Sequence, residues 1–122
     1  MTGTRRWVLL LALIGLVGLV TGGCLNVFEA PGVGAKAEQG YQACAPLITA
    51  LAQYHQQKNE FPEALAELVP AILAALPPEV KSLEITYARD GASYALKFSY
   101  TGPGINRCIY TPAAGWKCSG YY

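Results

Sequence analysis

Acidic residues are missing from the first part of this chain: none precedes Glu29, while Arg5 and Arg6 stand near the start. Histidine occurs once, as His55. Charged residues make up only 14% of the 122-residue sequence, and beyond Arg6 the basic ones stand singly, from Lys36 to Lys117. These shortages exclude whole classes of chemistry. Nucleic-acid binding rests on grouped Lys and Arg that neutralise phosphates, so no nucleic acid is expected as a partner. A metal site built on cysteine needs further ligands, and no Cys or His stands close to the C-terminal pair Cys108 and Cys118 except each other. On a helix with ~1.5 Å rise per residue, Cys44 and His55 sit ~16 Å apart, too far for a Cys–His dyad. Neither a Gly-rich phosphate loop nor a nucleophile elbow occurs. The expectation is a non-enzymatic protein with no cofactor and no metal.

What the start does contain is an export pattern. Behind Arg5 and Arg6, the run from Trp7 to Val20 is unbroken apolar sequence, followed by Thr21-Gly22-Gly23-Cys24. A charged region, a short apolar region and a small-residue exit read as a signal peptide or membrane anchor over residues 1–23. Residues 7–28 carry no charge, and ~20 such residues span a bilayer as a helix, so an uncleaved anchor is one fate and plain secretion another. Each fate leaves the arginines inside and places the rest in an oxidising space, on a cell or outer membrane facing the periplasm or the exterior. Without the leader, seven basic residues face eight acidic ones, a net charge of −1.

Residues 24–36 read as a flexible tether, because Pro31, Gly32 and Gly34 interrupt any period. The roughly 100 residues after the leader suffice for one modest core. Residues 37–122 are expected to form it. From Ala37, Tyr41, Cys44, Ile48, Leu51 and His55 recur at helical spacing, widened by Leu47 and Tyr54, and Pro46 predicts a kink or a helix start at that point. Lys58-Asn59-Glu60 ends the helix. Pro62 suits the first position of a second short helix with Phe61, Leu65, Leu68 and Val69 on one face, and Pro70–Leu76 adds a turn or two before Pro77-Pro78 stops it. His55 reads as a partly exposed helix-end residue, and Glu63 and Glu67 as surface charge.

Period-two alternation then predicts strands over Glu84–Arg89, Ser93–Tyr100, Ile105–Thr111 and Trp116–Tyr122, with Asp90-Gly91 as a hairpin turn. Tyr94, Leu96, Phe98 and Tyr100 share the face that should cover the helix. Cys108 and Cys118 lie symmetrically about the Pro112–Gly115 turn, so hairpin pairing sets them opposite one another at a spacing that a disulfide accepts, with free thiols as the alternative. Cys44 on the apolar stripe reads as a buried small hydrophobe, or as the partner of Cys24 if that residue is otherwise free. Tyr110, Trp116, Tyr121 and Tyr122 make the hairpin end rich in aromatics, fit either for an interaction surface or for packing beneath the helix; Lys117 and Ser119 look solvent-facing, which turns Trp116 and Cys118 inward.

Two resemblances add to this reading. Gly22-Gly23-Cys24 resembles the lipobox of bacterial lipoproteins, with Thr21 where that family prefers Leu; the resemblance implies lipid attachment at Cys24. The segment from Ala50-Leu51-Ala52-Gln53-Tyr54 through Phe61-Pro62-Glu63-Ala64-Leu65 to Leu68 resembles the helix end and turn of type IV pilin-like proteins, nearest to type II secretion pseudopilins. That likeness implies an α+β fold, a long helix packed on a small antiparallel sheet of about four strands with a C-terminal disulfide hairpin. Pilins carry a glutamate in the apolar helix, which runs straight into the domain; here that run has no acid and a Pro/Gly linker follows. The expectation is therefore a pilin-like domain on a lipid or simple anchor, with a structural or protein-binding role toward another envelope or secretion-system protein. A minor pilin or pseudopilin assembled in a fibre is the alternative, and a periplasmic small-ligand or enzyme module a third.

Overall fold

A computed structural model describes residues 29–121, so the apolar leader, Cys24 and Tyr122 lie outside the described residues. Helix α1 (Ala35–Lys58) packs across one face of a four-stranded antiparallel sheet in the order β1 (Thr86–Asp90), β2 (Ser93–Thr101), β3 (Ile105–Thr111), β4 (Gly115–Tyr121). A 3-10 turn (Leu65–Leu68) and a single-turn helix α2 (Glu79–Ser82) lie on the connection between them. This is the α+β architecture that the alternation and the helical stripe predict. Among the described residues no helix is long and apolar enough to cross a membrane.

Helix α1 begins at Ala35, well ahead of Pro46, which sits inside it. Proline removes one hydrogen bond to the carbonyl of Gln42, but Gln42, Ala45 and Pro46 are all exposed, so that carbonyl can accept from water instead. Its buried line is Ala37, Gly40, Ala43, Cys44, Leu47, Ala50 and Leu51. Tyr41, Ile48 and His55 of the predicted stripe are only half-buried, because the contact line is rotated toward the small residues. The reason is proximity: a Cβ at Gly40 would lie 2.1 Å from the Phe98 ring, so only glycine lets the helix settle there. Asn59 ends α1 in a left-handed conformation, its N–H donating to the His55 carbonyl at 2.8 Å.

The connection departs further from expectation. Pro62 opens no helix; it is fully buried, and its carbonyl accepts from Tyr87 Oη at 2.6 Å. The 3-10 turn starts three residues later, where the Glu67 carboxylate accepts from the Ala64 N–H at 2.9 Å. Pro70–Leu76 holds no helix: a hydrogen-bonded turn runs to Ile72, with the Ile72 and Leu73 amides both directed at the Leu68 carbonyl, and the rest is bend and irregular chain. Pro78, read as a stop, instead caps the start of α2.

The β1–β2 hairpin closes on Asp90 opposite Ser93, with Gly91 and Ala92 as its loop. The β3–β4 hairpin closes on Thr111 opposite Gly115, and Gly115 at φ 68 supplies the left-handed residue that a three-residue loop demands. Side chains alternate as predicted: Tyr94, Leu96, Phe98 and Cys108 are buried under the helix, while Lys97, Ser99, Arg107, Lys117 and Ser119 face out. Leu47, Leu51, Leu68 and Leu96 are fully buried at the centre.

Strand β1 is shorter than β2. The predicted strand began at Glu84, but that residue adopts φ 49 and gives its N–H to the Lys81 carbonyl at 3.2 Å, so the chain turns into the sheet only at Thr86. Pairing with β2 stops at Thr86 opposite Lys97, and among the described residues no strand pairs with Phe98–Thr101 on that side.

Candidate interaction surfaces

The disulfide joins Cys108 and Cys118 across directly paired positions, with Cα atoms 4.1 Å apart. That short spacing marks a pair whose backbone groups point away from each other. The amide and carbonyl of Cys108 therefore turn toward β2, and strict alternation turns those of Lys97, Ser99 and Thr101 toward the β1 side. Tyr41 Oη lies 3.1 Å from Cys118 Sγ and donates to the Gly32 carbonyl at 2.9 Å, while the Gly32 N–H donates to Tyr100 Oη at 2.8 Å. The last part of the expected tether, Pro31–Gly34, is thus laid against the disulfide and the sheet. Burial of Tyr41, reinforced by Tyr100 and Glu38, pushes its hydroxyl pKa up.

The aromatic hairpin end separates into two parts. Trp116 points at the helix, with ring centroids 4.9 Å from Tyr41, 5.2 Å from Phe98 and 5.4 Å from Tyr110. Tyr110 and Trp116 are half-buried walls of the core, joined through Tyr94 to the stacked pair His55–Phe61. Tyr121 faces the opposite way and is 71% exposed, directly across from Ile105 at 60%. The signal for this split lay in the parity of β4, where Lys117 and Ser119 mark the outer face that Tyr121 shares.

The remaining reactive groups occupy quiet positions. Cys44 is fully buried and bonded to no other cysteine among the described residues, and burial raises its thiol pKa to about 11, which suppresses the nucleophilic thiolate. Glu63 and Glu60 both meet Arg89, at 2.7 Å and 3.6 Å, and Glu67 caps the 3-10 turn. Burial lifts the Tyr87 hydroxyl to about 12 and drives that of Tyr94 higher still. Among the described residues no three His, Cys, Asp or Glu side chains converge as a metal cluster.

Sequence reasoning missed the gap beside β2. A groove of about 460 Å³ runs along Ser99–Thr101 between the start of α1 and the Lys81–Glu84 turn. A second hollow of about 700 Å³ continues from it around the start of β1, past Lys81, Glu84, Lys97 and Arg107. The ion pairs among the described residues are those of Arg89, so these cations are not matched by carboxylates within contact distance. Lys36 reaches across one end and donates to the Thr101 carbonyl. No cue in the sequence separates a five-residue strand from the six-residue one expected, since the break depends on the backbone of Glu84. No family model, curated protein or solved structure matches the chain.

Proposed function

We propose that this chain is a non-catalytic, membrane-tethered envelope protein whose pilin-like extracytoplasmic domain binds another protein. The observation that carries the reading is the Cys108–Cys118 disulfide, which belongs with an oxidising compartment, in a chain that opens with an export pattern. The helix-on-meander order and the Phe61-Pro62 turn packed against the end of α1 support the pilin-like assignment. The Pro31–Gly34 segment supports a domain hung from its anchor: Gly34 at φ 98 redirects the chain immediately before α1. In this reading Cys24 carries lipid.

Intact mass of the membrane-extracted protein tests this. The expected species starts at a diacylglyceryl or triacylated Cys24 and carries one disulfide. An intact Met1 with the disulfide formed would replace the lipid by an uncleaved anchor and leave the tether standing. A prepilin-peptidase product would make the protein a fibre subunit. A cytosolic protein with intact Met1 and every thiol titratable would overturn the reading entirely.

A further inference from the structure

Strand edges that expose unpaired amides and carbonyls are templates for another chain. In this sheet such an edge is recessed. The amide and carbonyl of Ser99 and the amide of Thr101 point toward the side where β1 is missing, and no backbone group of the described residues bonds them there. The Lys36 bond to the Thr101 carbonyl is a side chain standing where a neighbouring strand would donate. The groove beside them is lined on one side by Gln39 and Gly40 of α1 and on the other by Ser82–Glu84, which makes it an open slot.

Direction follows from geometry. A strand added antiparallel to β2 in this slot runs the same way as β1 and ends where β1 begins, at Ile85 and Thr86. Pairing along β2 cannot continue past that point, because Thr86–Asp90 already occupy the next positions, so the slot suits a chain that ends there. The hollow at that point is lined by Lys81, Lys97 and Arg107 against the single carboxylate of Glu84. A parallel strand would place an α-amino group among those cations, which repel it. The same charges keep two copies of this edge apart.

We propose that the slot beside β2 receives the extended C-terminal tail of a partner protein, paired antiparallel to Ser99 and Thr101, with its terminal carboxylate held by Lys81, Lys97 and Arg107. The mode is strand addition combined with capture of a chain end. It rests on the protein-binding reading above and gives the partner a chemistry: an uncharged, β-prone tail whose free carboxylate is its anionic feature.

The test uses the full-length chain in detergent micelles and a fluorescein-labelled Thr-Val-Thr-Val-Thr-Val peptide with a free C-terminus. The expected result is saturable binding by anisotropy, with amide shifts at Ser99 and Thr101. A C-terminal amide should bind at least tenfold more weakly, as should the free-acid peptide on the K81E/K97E double variant. N-methylation of alternate peptide amides should abolish binding. Ser99→Pro should do the same by removing an edge donor; because proline in a strand can impair folding, the double lysine variant, altering exposed side chains only, is the independent arm. Equal binding of the N-methylated peptide, equal binding of the amide, shifts confined to β4, or no binding at millimolar peptide would each overturn the proposal. None of those outcomes touches the mass of the membrane-extracted protein, so loss of the slot and loss of the tethered-protein reading are told apart.

Discussion

The two sides of the sheet are closed by different means. At the β3–β4 side the strands match residue for residue from Ile105 opposite Tyr121 to Thr111 opposite Gly115, a disulfide crosses them, and Tyr41 and Gly32 lie over its sulfurs. At the β1–β2 side five residues serve a strand of nine, and the connection is held by Tyr87 on Pro62 and Arg89 on Glu60 and Glu63. Covalent closure resists opening whatever the local packing, whereas a short strand leaves backbone groups unanswered. One side is therefore closed covalently, and the other leaves backbone groups of β2 unpaired among the described residues.

This contrast is sharpest under reduction. Replacing Cys108 and Cys118 by Ala should lower unfolding free energy by about 2–3 kcal/mol, since the bridge closes a short loop in the unfolded chain; urea denaturation measures it. A loss no larger than that of a surface substitution would mean that the disulfide side owes its order to packing alone. Gly40→Ala strikes the middle of the sheet from the helix. The added methyl meets the Phe98 ring at 2.1 Å, and overpacking of this kind costs about 1–3 kcal/mol. Because Phe98 and Tyr100 are the residues of this stretch whose amides face β3, hydrogen exchange in this variant should rise first at those two amides.

On the β1 side, Tyr87→Phe removes the hydroxyl that donates to the Pro62 carbonyl and should cost about 1 kcal/mol. The same group predicts alkaline sensitivity. Its folded pKa is raised from 10.0 to about 12. The folded state thus holds the phenol proton more tightly than the unfolded one, and this stabilisation is full below pH 10 and lost as pH rises toward 12. Tyr94 and Tyr41 shift in the same direction, so chemical denaturation followed between pH 9 and 12 should show falling stability, less steep in Tyr87→Phe. The smallest expected effect is Arg89→Ala. Its partners Glu60 and Glu63 are exposed, and such pairs contribute about 0.2–1 kcal/mol. A larger loss would show that the β1 side depends on Arg89 more than its exposure implies.

Much of the fold was legible because it rests on local pattern. Alternation along Tyr94–Tyr100 needs only the pleat to separate core from solvent, and the symmetric placement of Cys108 and Cys118 about a turn needs only antiparallel pairing. The candidate aromatics were legible as a group, and the inward turn of Trp116 was legible too, but not the outward turn of Tyr121. Tyr110 and Trp116 face the helix and Tyr121 faces out, on the side of Lys117 and Ser119. The prolines were read unevenly: Pro46 lies within α1, which rules out a helix start there, Pro62 is buried and opens no helix, and Pro78 opens a helix instead of closing one. Proline restricts its own φ and removes one donor, but whether the chain then bends, starts or stops depends on what packs around it.

By itself, the sequence determined the order of helix and hairpins, the inward face of each strand and the cysteine pair, since each follows from spacing along the chain. Only the tertiary structure decided how close α1 comes to Phe98, where β1 begins, and hence that among the described residues no strand pairs with Ser99 and Thr101 on the β1 side. Those features arise from contacts between segments far apart in the chain and from the left-handed backbone of Glu84, neither of which any periodicity encodes.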